Sequence, residues 1–151
     1  MNLHTLLPLL IPKAIAWAHE QSRLILQSGA PLTEKQTALA MQMGVAKPEL
    51  VRIQFVSELP MPEDPLLRQI TDTTGVIGPH MAGLTLGYGI YVVEKHADVR
   101  LISHELRHVQ QYESLGGIEA FMPVYLAQIA SVGYYDAPLE QEARAYEVDT
   151  V

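Results

Sequence analysis

The stretch His104-Glu105-Leu106-Arg107-His108 constrains this chain more than any other. Asp98 suits a helix N-cap, Gly116-Gly117 suits a C-terminal stop, and Val99, Ile102, Leu106 and Val109 recur at helical spacing between them. The spacing therefore predicts a helix from Asp98 to Ser114 or Leu115. At about 3.6 residues per turn, positions 104 and 108 stand one above the other on one face, and their rings can converge on a single ion. Whatever fold the chain takes has to be built around that face.

Composition narrows the chemistry of such an ion site. The chain has 151 residues and no Cys, which removes disulfides, thiolate catalysis and every Cys-based zinc or iron–sulfur centre. A metal, if bound, is held by imidazole nitrogen and carboxylate oxygen. Zinc takes imidazole readily and prefers a fourfold shell. Glu105, directly after the first histidine, is expected beside the ion, where it can hold a water whose pKa the metal lowers from about 15.7 towards about 7. Glu105 then accepts the proton and returns it to a leaving amine. His19-Glu20-Gln21-Ser22-Arg23 begins in the same way but carries Arg where the second histidine is needed, so it reads as an ordinary surface pair.

The remaining sequence predicts one α+β domain with more helix than sheet, spanning residues 1–151. It comprises a helical portion at 1–50, a strand-containing portion at 51–97 and the site helices at 98–151. Residues 13–27 have helical periodicity, and Thr33 with Gln36 forms a capping box ahead of a second helix that stops at Gly44. These two helices are expected to pair as a hairpin. Val51 to Val56 alternates as a half-buried strand, and 65–72 reads as a short helix. Leu84 to Val93 reads as one continuous strand, with Leu84, Leu86, Tyr88, Ile90 and Val92 on one face and Gly87 and Gly89 on the other. Ile118 to Val132 forms a further helix, and Asp136-Ala137-Pro138 starts a last one that runs to about Val148.

Ten Lys and Arg against seventeen Asp and Glu give a formal charge of -7, which repels phosphate backbones and acidic membranes. Nucleic acid is therefore not expected as a partner, and no apolar run of about 18 residues predicts a membrane span. The opening is apolar and Ala16-Trp17-Ala18 mimics a cleavage site, but no basic residue precedes Lys13 and two prolines interrupt it. The expectation is a cytoplasmic protein.

Two histidines and a water leave one ligand to come from elsewhere, and Glu140 and Glu142 at the start of the last helix offer it. H-E-x-x-H followed, after an intervening helix, by an E-x-E-A carboxylate helix resembles the gluzincin branch of the zincin metallopeptidases, especially its small bacterial members. The resemblance covers about Gly83 to Glu147. It implies that His104 and His108 bind zinc, that Glu105 is the general base and that a Glu of the later helix is the third ligand. The family's spacing selects Glu140 with Ala143 and also fits Glu142 with Ala145. Helix periodicity favours Glu142, in an inward stripe with Leu139, Ala143 and Tyr146, whereas the E-x-E-A form uses the first Glu. Glu140 is taken as the ligand and Glu142 as its alternate. Arg144 stands where an Asp often supports a ligand histidine, a departure from the family's form.

The resemblance also implies a peptide or protein substrate held along an edge strand beside the motif helix by main-chain hydrogen bonds. Gly87, Tyr88 and Gly89 are the candidates for that strand, and Tyr134 and Tyr135 for donors to a tetrahedral oxyanion. His80 and His96 read as solvated loop residues, and Tyr88, Tyr91, Tyr112 and Tyr125 as core or boundary aromatics. The leading expectation is a zinc metallopeptidase. The alternative is a catalytically dormant zinc-containing module that binds peptides or regulates, and an intact hydrolase of non-peptide amides is a third possibility. Oligomeric state and substrate preference leave no mark in the sequence.

Overall fold

Periodicity sorts the chain into a small sheet clasped between helices, in a computed structural model that describes residues 2–151. The order is α1 (Leu3–Ser28), β1 (Ala30–Pro31), α2 (Glu34–Gln42), β2 (Arg52–Val56), α3 (Pro65–Thr74), β3 (Gly83–Leu86), β4 (Gly89–Val93), α4 (Val99–Leu115), α5 (Ile118–Val132) and α6 (Pro138–Ala145). The sheet is mixed, in the order β1-β2-β4-β3. Its β2–β4 pair is parallel and the pairs at either side are antiparallel. This is the expected α+β, mostly helical architecture, with edge strand β3 beside the motif helix α4.

Side-chain alternation gives each sheet face its own helices. Ile53, Ile90 and Val92 point towards α2 and α4, where they bury Leu39, Ala40, Ile102, Leu106 and Val109. Leu86, Tyr91 and Val93 point the other way, against Ala18 and Ile25 of α1 and Phe121, Tyr125 and Ile129 of α5. A smaller apolar group, Leu10, Leu67 and Ile70, joins the start of α1 to α3. No single helix among the described residues is long and apolar enough to cross a membrane.

Several sequence expectations hold in detail. The Thr33–Gln36 capping box forms, Asp98 accepts from the Leu101 N–H at 2.8 Å, and Gly116 ends α4 in the left-handed region at φ 111°.

Others are corrected. The stretch 84–93 is a β-hairpin instead of one strand, because Gly87 takes φ 69° and turns the chain. Pairing Leu84 with Tyr91 and Thr85 with Ile90 separates Leu84 and Leu86 from the face expected to hold Ile90 and Val92. α1 begins ten residues earlier than the periodicity suggested and contains Pro8 and Pro12. Both prolines are exposed and lie four residues apart, so the lost helical hydrogen bonds fall on the water-facing side. α1 and α2 do not form a paired hairpin. The segment between them adds β1 to the sheet, and α2 packs on α4. α6 starts after Ala137, without a side-chain cap from Asp136, and ends at Ala145. Gln128 of α5 supplies the missing partner by accepting from the Leu139 N–H at 2.9 Å.

The close approach of α1 to the sheet depends on Gly89. A Cβ there would stand 3.0 Å from the Cβ of Ile25, an atom no rotamer change can move away. Gly89→Ala is expected to destabilise the chain by about 1–3 kcal/mol through overpacking. Urea unfolding of the variant should show the loss as a lower midpoint with an unchanged slope.

Candidate metal centre

Two helices bring the donors together. α4 presents His104 and His108 one turn apart, with ring centroids 4.9 Å apart and planes at 78°. α6 lies across α4 and directs Glu140 between the rings. Glu140 Oε1 is 3.0 Å from His104 Nε2, and Oε2 is 3.2 Å from His108 Nε2. The three donor groups lie within 4.8 Å of one another and are nearly closed to solvent. The group could hold a metal ion, since a cation between two imidazole nitrogens and a carboxylate satisfies the same contacts as protons on the rings do.

The second nitrogen of each ring is already committed. His104 Nδ1–H donates to Glu147 Oε2 at 2.8 Å, and His108 Nδ1–H donates to Gln111 Oε1 at 2.7 Å. Those bonds leave both Nε2 atoms facing Glu140 and fix each ring plane, the arrangement by which outer partners orient metal-binding histidines. Tyr125 of α5 donates its hydroxyl to Glu140 Oε2 at 2.7 Å, which holds the carboxylate from behind.

Charge follows from this geometry. Burial alone would keep the His108 ring neutral, but the facing Glu140 carboxylate outweighs it, and the imidazole is pushed up to about 9. His104 is raised by the same balance of burial against Glu140. Burial would raise the acid of Glu140 too, yet His108 and the hydrogen bonds from His104 and Tyr125 hold it far below the ordinary carboxylate range.

Glu105 points from the same helix to the sheet side. It is 4% exposed, and burial raises its pKa despite the neighbouring histidines, which makes it a stronger base than a solvated carboxylate. Thr85 of β3 donates to its Oε1 at 2.8 Å. The carboxylate rests on the backbone of Gly83, where an added Cβ would lie 2.9 Å from Oε2. A cleft of about 600 Å³ opens over His104, Glu105, Glu140 and Tyr134.

The structure does not bring every candidate residue here. Glu142 turns to Arg107, which donates to its two oxygens at 2.9 and 2.8 Å, so α6 presents Glu140 and Ala143 inward instead of a Glu142 stripe. Gly87 and Tyr88 form the hairpin turn and Gly89 lies under Ile25, so these three sit away from the cleft. Tyr88 donates to Glu113 at 2.9 Å instead. Tyr134 lines the cleft, and burial together with Glu140 and Glu105 keeps its phenol protonated. Tyr135 also lines the cleft, is 70% exposed and carries the Arg144 guanidinium over its ring at 4.1 Å. His80 and His96 are exposed, as expected, but line the outer part of the same cleft. His19 pairs with Glu119, and Glu20 with Arg23 on the surface, as an ordinary helix pair would.

Sequence reasoning missed Glu147, Gln111 and Tyr125. Gln111 was recoverable, standing three residues after His108 on the same helix face. Glu147 lies seven residues beyond Glu140, past the end of α6. It reaches His104 because the Val148 N–H is tied to Ser103 Oγ at 3.1 Å. Glu147 thus supplies the carboxylate on the outer nitrogen of His104. Compared with protein-family models, curated proteins and solved structures, the chain matches none.

Two outcomes follow from these contacts. Glu140→Gln should weaken metal binding far more than Glu142→Gln, and Glu147→Ala or Gln111→Ala should each weaken it about 10–100-fold, read by competition with a chromogenic chelator. The folded pKa of His108, about 9, lies above its ordinary 6.5, so the stabilisation is complete below about pH 6.5 and is lost as the pH rises through 9. Thermal melts of chelator-treated protein should therefore fall steadily across that window. Melts that stay level would mean that the His108–Glu140 contact is not formed.

Proposed function

We propose that the chain is a zinc-dependent metallopeptidase of gluzincin type. One observation carries this reading: both His Nε2 atoms converge on Glu140 with their Nδ1 atoms already held, and a fourth group, Glu105, stands next to them at the floor of an open cleft. Two imidazoles, one carboxylate and a side open to solvent suit zinc in a catalytic setting. When bound, zinc supplies Lewis acidity, acidifying water and polarising a carbonyl.

The chain's own residues account for the rest. Glu105, desolvated and aimed by Thr85, accepts the proton of the attacking water. It returns that proton to the amide nitrogen as the C–N bond breaks. Tyr134, kept protonated by burial, is the donor available to the developing oxyanion. β3 is the sheet edge next to α4 and can take an extended peptide as an added strand. Tyr112 already donates to the Thr85 carbonyl at 3.0 Å, which leaves the Gly83 end of β3, beside Glu105, for that pairing.

The dormant zinc module takes its support from the small size of the chain and from Arg144 standing where the family's form often has an Asp. Glu147 in contact with His104 favours the catalytic reading instead.

Glu105→Gln is expected to keep zinc and lose turnover by at least about 100-fold, since general-base groups contribute roughly that much or more. Gly83→Ala should also keep zinc while slowing turnover, because the new methyl displaces the Glu105 carboxylate. A mixed peptide library with zinc added, compared with the same reaction in chelator, is the assay. An undiminished rate for Glu105→Gln would overturn the mechanism.

A further inference from the structure

We propose that Arg144 makes this cleft selective for substrates that carry a carboxylate near the bond to be cut. The inference rests on the peptidase reading for the word substrate, and on the cleft's own charges for the rest.

The acids that line the cleft are all engaged. Asp98 caps α4 through the Leu101 N–H, and Glu105 accepts from Thr85. Glu140 is shared by both histidines and Tyr125. Glu147 takes His104 and also pairs with Arg100 at 2.8 Å. The cations differ. Arg144 and Lys95 line the same cleft, and among the described residues neither has a carboxylate within the 4.0 Å of an ion pair. Asp98 and Glu105 keep their negative charge, held by neutral donors, so Arg144 and Lys95 are the cations over the candidate metal centre that an incoming anion can pair with.

Arg144 is also held in place. Its guanidinium lies 4.1 Å above the Tyr135 ring, and one nitrogen donates to the Tyr135 carbonyl. A guanidinium has five donors, so this anchoring leaves others for a planar anion, and holding the side chain in advance lowers the entropy cost of capture. Arg144 stands one helical turn after Glu140 and so lies on the side of α6 that faces the donors. A carboxylate is the peptide group that fits a planar cation. It can come from an acidic side chain or from a free chain terminus. Lys95, exposed on the 94–96 turn, adds charge without geometry.

Calorimetric titration of the full chain, metal-free so that no anion is drawn to an ion, tests the inference with three N-acetylated probes of one apolar sequence. One ends in a free carboxylate, one in an amide, and one is the amide with a single internal Glu. The expected result is that at least one carboxylate probe binds about tenfold or more tighter than the neutral amide, equivalent to roughly 1.4 kcal/mol. Which probe wins identifies the source of the carboxylate. Arg144→Gln should abolish the preference, and Arg144→Lys should keep a fraction of it, because charge remains while the planar fork is lost. Circular dichroism confirms that each variant is folded, and if Arg144→Gln is not, the Lys variant alone must show the reduced preference. Equal affinity for all three probes, no binding at all, or a preference unchanged in the variants overturns the proposal. Zinc-loaded wild type that cleaves all three probe types equally well also counts against it and leaves the peptidase reading intact. Arg144-dependent capture with no cleavage of any peptide overturns the peptidase reading instead.

Discussion

Two imidazoles and a carboxylate buried at one point cost several kcal/mol unless every lone pair and proton is matched. Most of the carboxyl-terminal half of the chain meets that requirement. α4 supplies the rings, α6 brings Glu140, α5 sends Tyr125 behind it, and the turn after α6 carries Glu147 to the outer side of His104. Gln111 ties the system to the backbone: it accepts from His108 and donates to the Leu139 carbonyl and to Glu142. Removing one member leaves a buried group unpaired, so the cluster behaves as a unit.

The same α4–α6 contact is clamped from outside by Arg107, one of the two variable positions of the motif. It holds Glu142 through both oxygens, donates to the Met43 carbonyl at 2.7 Å and covers the Tyr146 ring at 3.6 Å. Glu142 therefore sets the position of α6 and Glu140 faces the imidazoles. Adjacent carboxylates on one helix end in different roles because residues two apart point in different directions. On the other side of α4 the sheet approaches closely at Gly83 and Thr85, and both contacts fall on Glu105. Burial gives that carboxylate a raised pKa, while the histidines beside it keep its neighbour Glu140 ionised. Two carboxylates lining one cleft thus carry opposite perturbations, the condition under which one can act as a base and the other as a ligand.

Gly87, Tyr88 and Gly89 lie away from the cleft because the stretch that reads as one strand is a hairpin. Alternation across Leu84 to Val93 is real, but Gly87 reverses the chain, so the alternation belongs to two antiparallel strands and the glycines serve the turn and α1. The end strand of the sheet next to the motif is β3, earlier in the chain than Gly87, Tyr88 and Gly89. Arg144 follows a similar logic. In three dimensions the carboxylate beside His104 comes from Glu147, and Arg144 lines the cleft.

Local rules were enough for the elements whose determinants are local. The capping box at Thr33, the Asp98 cap with its Gly116 stop and the spacing of His104, Glu105 and His108 depend on hydrogen bonds and helical phase within a few residues, and the chain folds there as its sequence implies. Tertiary structure decided what depends on partners distant in sequence: Glu140 over Glu142, Glu147 as the support for His104, Tyr125 as a site residue, and β3 as the edge. Each is a contact between groups 15 to 43 residues apart or a packing choice between helices. Helix periodicity cannot specify such contacts, because it gives the face of a helix without saying which neighbour that face will meet.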